Sequence, residues 1–283
     1  MLQSKPLLSI VIPTYEMKGQ GVAFLKRCID SIKRQQGVDQ QQIEVVISDQ
    51  SRDEAIEHFC KHQSFIVNYH RTTTGRGIAS HNLNTAIQIA RGEYVKILFQ
   101  DDILVEDNYL ATIAKTIVEK QPQCILTKAL HTKDGETFFN PIIPADNPYL
   151  FFGNNTISSP SVLTVAKQTL KHIAFDERLK LLFDCDFYFQ LFKKSKSIEI
   201  LEEISIANGI WEGQTQFAIS SKQFTEEVRY LNWKYPNANL TQLLPSYQQY
   251  FKKLHPDAPF PFGLNIQANI FQKWWWALMK KSS

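Results

Sequence analysis

Cysteine is scarce and scattered: Cys28, Cys60, Cys124 and Cys185 are the four in 283 residues, and no two form a CxxC pair. That spacing offers neither a zinc site nor a disulfide framework, and it predicts reduced, buried thiols. Charge of one sign is lacking as well. The 31 Lys and Arg face 28 Asp and Glu, a net charge of +3, too weak for a partner gripped through a phosphate backbone, so nucleic acid is not the expected partner. Glycine and proline, 11 and 12 residues, are too few for a collagen-like or low-complexity chain. No apolar run reaches the roughly 18 residues that suggest a membrane-spanning helix. The early run from Leu7 to Ile12 stops at Pro13 and lacks the form of a secretory signal. The expected location is therefore the cytoplasm, with peripheral contact at the inner face of the plasma membrane as an extension.

What is present is a chain 43% hydrophobic, long enough to bury a core without staples. Leu7 to Ile12, Ile43 to Ile47, Phe65 to Tyr69 and Tyr94 to Leu98 are short runs rich in apolar and branched residues, which read as buried parallel strands. Between them Val22, Leu25, Ile29 and Ile32, then Ala79, Leu83, Ala86, Ile87 and Ala90, recur at helical spacing, and Tyr109, Ile113 and Ile117 follow. This alternation predicts an α/β fold: a Rossmann-like, mostly parallel central sheet flanked by helices. Residues 133 to 160, broken by Pro141, Pro144, Pro148, Gly153 and Pro160, read as loops around a pocket. Helical signal returns at Asp184 to Lys194. The main domain is expected over residues 1–220 and a helical C-terminal extension over 221–283.

In open α/β sheets ligands gather beyond the carboxyl ends of the strands, and three strand ends here carry polar or acidic residues. They are Pro13-Thr14-Tyr15-Glu16, Ser48-Asp49-Gln50-Ser51-Arg52-Asp53 and Phe99-Gln100-Asp101-Asp102. A single carboxylate after a strand is often only a helix cap. Adjacent Asp101 and Asp102 are harder to dismiss, because two carboxylates after a buried strand repel unless a cation or hydrogen-bond donors neutralise them. A hard divalent ion completing its shell with phosphate oxygens would do so; a solvated turn before the helix at Asn108 is the plainer alternative.

Taken in order, Ser9-Ile10-Val11-Ile12-Pro13-Thr14-Tyr15, Glu44 to Asp53, Gly92 to Asp102, Asn154 to Ser161, and Phe175 to Leu179 followed by Asp184-Cys185-Asp186-Phe187 resemble the inverting family-two glycosyltransferases of GT-A fold, over roughly residues 7 to 220. The resemblance implies transfer of a sugar from a nucleotide-diphosphate sugar, expected to be a UDP-sugar, to a hydroxyl of a surface glycan or lipid-linked glycan. It implies that Pro13, Thr14, Tyr15 and Glu16 hold base and ribose, that Asp49 accepts from the base ring N–H, and that Arg71 and Asn82 lie near the nucleotide and its phosphates. Asp101 then binds nucleotide and the divalent metal, Mn2+ or Mg2+. Asp102 faces the donor sugar, and Asp184, with Asp186 as rival, is the general base. The sequence departs from the family where Phe99 replaces the first carboxylate of the DxD motif, where Ser48 replaces a frequent Asp, and where Trp211-Glu212 stand in place of a frequent Arg or His. Metal dependence is thereby placed in question, and a non-catalytic nucleotide-sugar or glycan-binding protein is the alternative.

Gly75-Arg76-Gly77-Ile78-Ala79-Ser80 imitates a dinucleotide fingerprint but ends in Ser80 and belongs to a third strand unit; it reads as a loop beside the nucleotide. In the tail, Ile266, Ile270, Phe271, Trp274, Trp275 and Leu278 share a helical face flanked by Lys273, Lys280 and Lys281, a pattern that suits an interfacial membrane helix or packing back onto the main domain.

Overall fold

The computed structural model describes residues 5–63, 67–214 and 220–254, together with 256, 260, 272 and 273. The aromatic C-terminal segment beyond 260 lies almost wholly outside these residues, and with it the membrane-helix expectation. Among the described residues no helix is long and apolar enough to cross a membrane.

The first half alternates as the periodicity predicts: β1 (Leu8–Thr14), α1 (Gly21–Lys33), β2 (Ile43–Asp49), α2 (Ala55–Lys61), β3 (Val67–Arg71), α3 (Ala79–Ile89) and β4 (Tyr94–Ile97). These strands run parallel in the order β3-β2-β1-β4, with Leu8 opposite Ile43 and Thr14 opposite Asp49. Every residue of β1 is buried, because helices cover both faces of the sheet, so its side chains show no polar alternation. Each wholly buried Leu, Ile or Val contributes roughly 1.5–3 kcal/mol, and β1 alone places Leu8, Ile10, Val11 and Ile12 at 0% exposure. The four cysteines are free and buried.

The second half adds β5 (Ile103–Leu104), α4 (Tyr109–Lys120), β6 (Cys124–Thr132), β7 (Phe139–Ile142), β8 (Leu163–Ala166), α5 (Lys167–Leu170), α6 (Phe183–Lys194) and β9 (Ile198–Gly209). Here the sheet is mixed. β8 inserts antiparallel between β4 and β6, β9 runs parallel to β6, and β5 closes the far edge antiparallel to β9. Residues 133–160 are not all loop, since β7 pairs with β6 through Ala129↔Ile142 and His131↔Phe139. Two helices follow, α7 (Ser221–Lys234) and α8 (Leu240–Leu254). Ser220 caps α7 through a reciprocal box with Gln223. Val228, Leu231, Leu240 and Leu244 are buried in the same core as the sheet.

This topology turns the carboxyl ends of β1, β2, β4, β6 and β9 toward one edge. There the end of β9 presses on the β4–β5 turn, and a Cβ on Gly209 would stand 2.3 Å from the Asp101 carbonyl oxygen. Only glycine permits that approach.

Candidate active site

At the ends of β1, β2 and β4 a cavity of about 280 Å³ is lined by Pro13, Tyr15, Glu16, Gln50, Asn82 and Asp101, with Arg52 and Arg76 among the cations at its wall. The strand-end turn is fixed by its neighbours. The Tyr15 N–H donates to Gln100 Oε1 at 2.8 Å, and Gln100 Nε2 donates to the Gly21 carbonyl. Thr14 is fully buried behind this wall, its carbonyl accepting from Asn82 Nδ2 at 3.0 Å.

Three residues expected at the nucleotide, Thr14, Asp49 and Arg71, do not line this cavity. Asp49 is wholly buried and does not line the cavity. Its Oδ1 accepts from the Ser51 N–H, the Ser51 hydroxyl and Thr14 Oγ1, and its Oδ2 accepts from the Tyr69 hydroxyl at 2.8 Å. With both oxygens engaged, Asp49 braces the strand ends, and the next residue, Gln50, faces the cavity. Arg71 is a clamp. Its guanidinium donates to the carbonyls of Ser51, Arg52 and Asp53 and to Glu57 Oε2, which spends its donors on the α2 approach and away from the cavity.

A second cavity of about 280 Å³ adjoins the first and shares Tyr15, Phe99 and Asp101 with it; it adds Asp102, Ser159, Asp184, Asn208 and Trp211. The turn after β4 and the first turn of α6, some eighty positions apart in sequence, thus bring three carboxylates to one space. Asp101 Oδ2 accepts from the Trp211 indole N–H at 3.1 Å. The indole packs on Phe24, with ring centroids 5.4 Å apart, and directly over Gly213, where a Cβ would stand 1.8 Å from the ring. Asp102 Oδ1 accepts from the Gly209 N–H at 3.0 Å, and its Oδ2 lies 3.1 Å from the Ser159 hydroxyl, which also meets Asn208 Oδ1 at 2.6 Å. Burial pushes both carboxyls up, and the charge of Asp101 raises Asp102 further; the Trp211 and Gln214 hydrogen bonds hold Asp101 back in part.

Beneath them lies Lys96, at 0% exposure, which sequence reading passed over as a strand residue. Its ammonium donates to the Ser161 carbonyl and stands 5.1 Å from the Tyr109 ring centroid. Burial brings it down to about 7, while Asp102 pulls the other way. The lone lysine in an otherwise apolar strand was the available signal.

Asp184 and Asp186 occupy the first turn of α6, where the helix dipole favours anions, yet they face different surroundings. Asp184 opens on the second cavity. Its Oδ1 accepts from the Cys185 N–H at 2.7 Å and its Oδ2 from Asn155 Nδ2 at 2.8 Å. Burial carries it up to about 6, against those hydrogen bonds. Asp186 lines neither cavity. It is wholly buried and receives Lys234 Nζ at 2.8 Å, the Tyr235 hydroxyl at 2.8 Å and Gln190 Nε2 at 2.8 Å.

Among the described residues no three His, Cys, Asp or Glu side chains gather as a metal cage. Phe99 supplies no ligand, and Asp102 is tied to Gly209 and Ser159. Asp101, the carboxylate that lines both cavities, is the residue that would hold an ion completed by diphosphate oxygens and water, as Mg2+ often is.

Residues 9–200 match the Glycosyl transferase family 2 model. The chain belongs to this family. Glycosyl transferase family 2 has the GT-A fold and transfers sugars from nucleotide-sugar donors with inversion. Among curated relatives, an uncharacterized glycosyltransferase of Methanocaldococcus jannaschii, MJ1057, is 26% identical over 210 residues, covering 70% of this chain and 69% of that protein. The glycosyltransferase GlyG of Streptococcus pneumoniae is 26% identical over 139 residues, 47% of this chain and 43% of that one. Among solved structures, TarS of S. aureus (residues 1–349) in complex with UDP-GlcNAc superposes with TM-score 0.67 at 20% identity, covering 87% of this chain and 72% of that one. The mannosyltransferase PcManGT of Pyrobaculum calidifontis, in complex with GDP-Man and Mn2+, gives TM-score 0.56 at 13% identity, covering 98% and 80%. The chain spans 43% of the longer TarS structure it matches. These structural likenesses establish the fold.

Proposed function

We propose that this chain transfers a sugar from a UDP-sugar to a hydroxyl of a surface glycan or lipid-linked glycan, with Asp184 as general base. The observation that carries this reading is the opening of Asp101 and Asp184 onto adjoining cavities that share Tyr15 and Asp101. A nucleotide seated against Pro13, Tyr15, Glu16 and Asn82 directs its diphosphate toward Asp101 and its sugar toward Asp102 and Asp184. The UDP-GlcNAc complex of TarS supports uridine as the nucleoside, and residues 1–220 as the catalytic part accords with the extent of the family match.

With its carboxyl near 6, Asp184 is mostly ionised at pH 7 and has more proton affinity than an ordinary aspartate. It takes the proton of the acceptor hydroxyl, whose oxygen attacks the anomeric carbon from the face opposite the departing diphosphate and inverts the configuration. Positioned base catalysis of this kind contributes about 10²–10⁴-fold. Arg52 and Arg76 at the cavity wall favour the negative charge of the leaving nucleotide. A bound Mn2+ or Mg2+, held by Asp101, supplies Lewis-acid stabilisation of that same charge. The PcManGT complex with Mn2+ supports Mn2+ as the ion.

The test is nucleoside diphosphate release from a panel of nucleotide sugars, with Mn2+ or Mg2+ and a pool of glycan acceptors, followed by assignment of the product anomer. Inverted product from a UDP-sugar is expected. Tight donor binding without nucleotide release under any of these conditions would instead establish the non-catalytic binding protein that the loss of the first DxD carboxylate suggests.

A further inference from the structure

Asn155 does not line either cavity, yet its side chain donates to Asp184 and is itself held at both ends. Its Oδ1 accepts from the N–H of Ile157 at 3.0 Å and from that of Ser158 at 3.1 Å. Those two donors fix which end of the amide is oxygen, and the NH2 is left to face Asp184 Oδ2 at 2.8 Å and the Ser158 carbonyl at 3.0 Å. A flip would set a carbonyl against a carboxylate and an NH2 against two N–H groups. The turn carrying this amide is itself held in an unusual state. Ser158 has φ +90°, a region costly for any residue with a Cβ. Its carbonyl accepts from the Tyr188 hydroxyl at 2.7 Å and its Oγ from Asn208 Nδ2 at 2.7 Å. Tyr188 lies one helical turn beyond Asp184 on α6, and Asn208 belongs to β9. The turn is therefore pinned from the helix that bears the carboxylate and from the strand that closes the cavity.

We propose that Asn155 is the positioning residue for Asp184, anchoring Oδ2 so that the lone pair of Oδ1 not taken by the Cys185 N–H is presented to the acceptor hydroxyl, and stabilising the ionised carboxylate. The inference rests on Asp184 being the base. With Oδ2 held by Asn155 and the carboxylate braced by the Cys185 N–H, the group has no freedom to swing toward the cavity wall, so its orientation is set before acceptor arrives. The hydrogen bond from Asn155 favours the charged form and opposes the upward push of burial. The other titratable groups near Asp184 are Cys185 and Tyr188 on its own helix, and Tyr15, Asp101, Asp102 and Lys180, which share its cavity.

The variants Asn155→Asp and Asn155→Ser separate this role from a purely structural one. Both retain an oxygen able to accept from the N–H groups of Ile157 and Ser158, as Asx and ST turns do, and both lose the donor to Asp184. Transfer is measured across pH with saturating donor. The acid limb of kcat is expected to rise by about one pH unit in Asn155→Ser, and further in Asn155→Asp, which sets a second carboxylate beside the first. Plateau kcat is expected to fall about tenfold or more while donor KM holds. Variants that melt with the wild type and keep its acid limb and kcat would overturn the assignment. Failure of the underlying reading looks different: Asp184→Asn would then retain transfer, whatever Asn155 does.

Discussion

Two acidic clusters lie within a few residues of each other on α6, and they are built in opposite ways. Around Asp184 the hydrogen-bond donors are neutral, so burial dominates and the group is carried up to about 6. Around Asp186 the structure supplies a cation. Lys234 of α7 bridges Asp186 and Asp176 at 2.8 Å each, Arg178 binds Asp176, and the Tyr230 and Tyr235 hydroxyls complete the shell. Asp176 is held well below the ordinary carboxylate range by Arg178 and Lys234, against the opposing push of burial; Asp186, more deeply buried, is raised on balance although Lys234 and Tyr235 pull it down. Glu227 of α7 adds to this second cluster by accepting from the N–H groups of Lys180, Leu181 and Leu182 ahead of α6. A cluster satisfied by its own cations fastens helices together. A carboxylate whose hydrogen bonds come from neutral donors alone, as those of Asp184 do, stores proton affinity.

The sharpest way to break this contrast is to neutralise each carboxylate in turn. Asp184→Asn is expected to lower transfer by about 10²–10⁴-fold while donor binding persists. Its melting temperature at pH 8 should be unchanged or higher. A carboxyl raised above its unfolded value costs stability progressively as pH rises from the ordinary carboxylate range to its folded value near 6, and in full above that, and the amide removes the cost. Asp186→Asn should keep transfer near the wild-type rate at temperatures where it stays folded, because Asp186 lines neither cavity. If Asp186→Asn abolishes transfer and Asp184→Asn does not, the two roles are exchanged. Lys234→Met follows in size. Leaving Asp186 and Asp176 buried beside a methyl group should cost about 3 kcal/mol, or roughly 6–12 °C in melting temperature for a chain of this size. In the wild type the contribution of Asp176 is present above the ordinary carboxylate range and fades as pH falls below it, because its folded value is depressed. An unchanged melting curve for Lys234→Met would show that this cluster is not a fastening.

The difference between the clusters also explains what could be read without coordinates. β1, β2, β4 and α1 announce themselves through local periodicity, and the strand-end rule pointed to Asp101 and Asp102 because ligand position in parallel sheets follows from topology. Asp184 and Asp186 could not be separated that way. Two residues on, a helix has turned about 200°, and which face meets the cavity depends on Lys234, some fifty positions later. Asp49 and Arg71 were placed near the nucleotide by resemblance; their partners Tyr69 and Glu57 come from β3 and α2, and no spacing in the sequence shows those contacts. The antiparallel insertion of β8 and the pairing of β7 are long-range pairings hidden in a stretch whose prolines signal only turns.

Trp211 offers a finer test of the cation-poor cluster. Its indole N–H stabilises ionised Asp101, so Trp211→Phe should raise the proton affinity of that carboxylate while keeping the ring against Phe24. Protons then compete better with Mn2+. The half-saturating Mn2+ concentration for transfer is expected to rise up to about tenfold at pH 6, from one hydrogen bond to a charged group, and to return toward the wild-type value at pH 8. A shift independent of pH would mean that the indole acts on the site through packing alone.

The smallest effect probes whether the uncompensated cluster also holds backbone strain. Ser158 keeps φ at +90° with its Oγ accepting from Asn208 Nδ2. Both Ser158→Ala and Ser158→Gly lose that acceptor and leave a buried amide donor short of a partner, at about 1 kcal/mol. They differ in one respect: alanine retains a Cβ in the unfavourable region and glycine does not. Ser158→Gly should therefore be the more stable of the two by about 1 kcal/mol, even though glycine gives the unfolded chain more conformational freedom and takes back part of that gain. The Asp186 cluster contains no such residue: neither Asp176, Asp186, Lys234 nor Tyr235 has a positive φ, so the same alanine and glycine pair placed at Tyr235 should fall in the opposite order. Equal melting temperatures for the two Ser158 variants would mean that the turn bearing Asn155 is relaxed, and that its hydrogen bonds alone hold the amide toward Asp184.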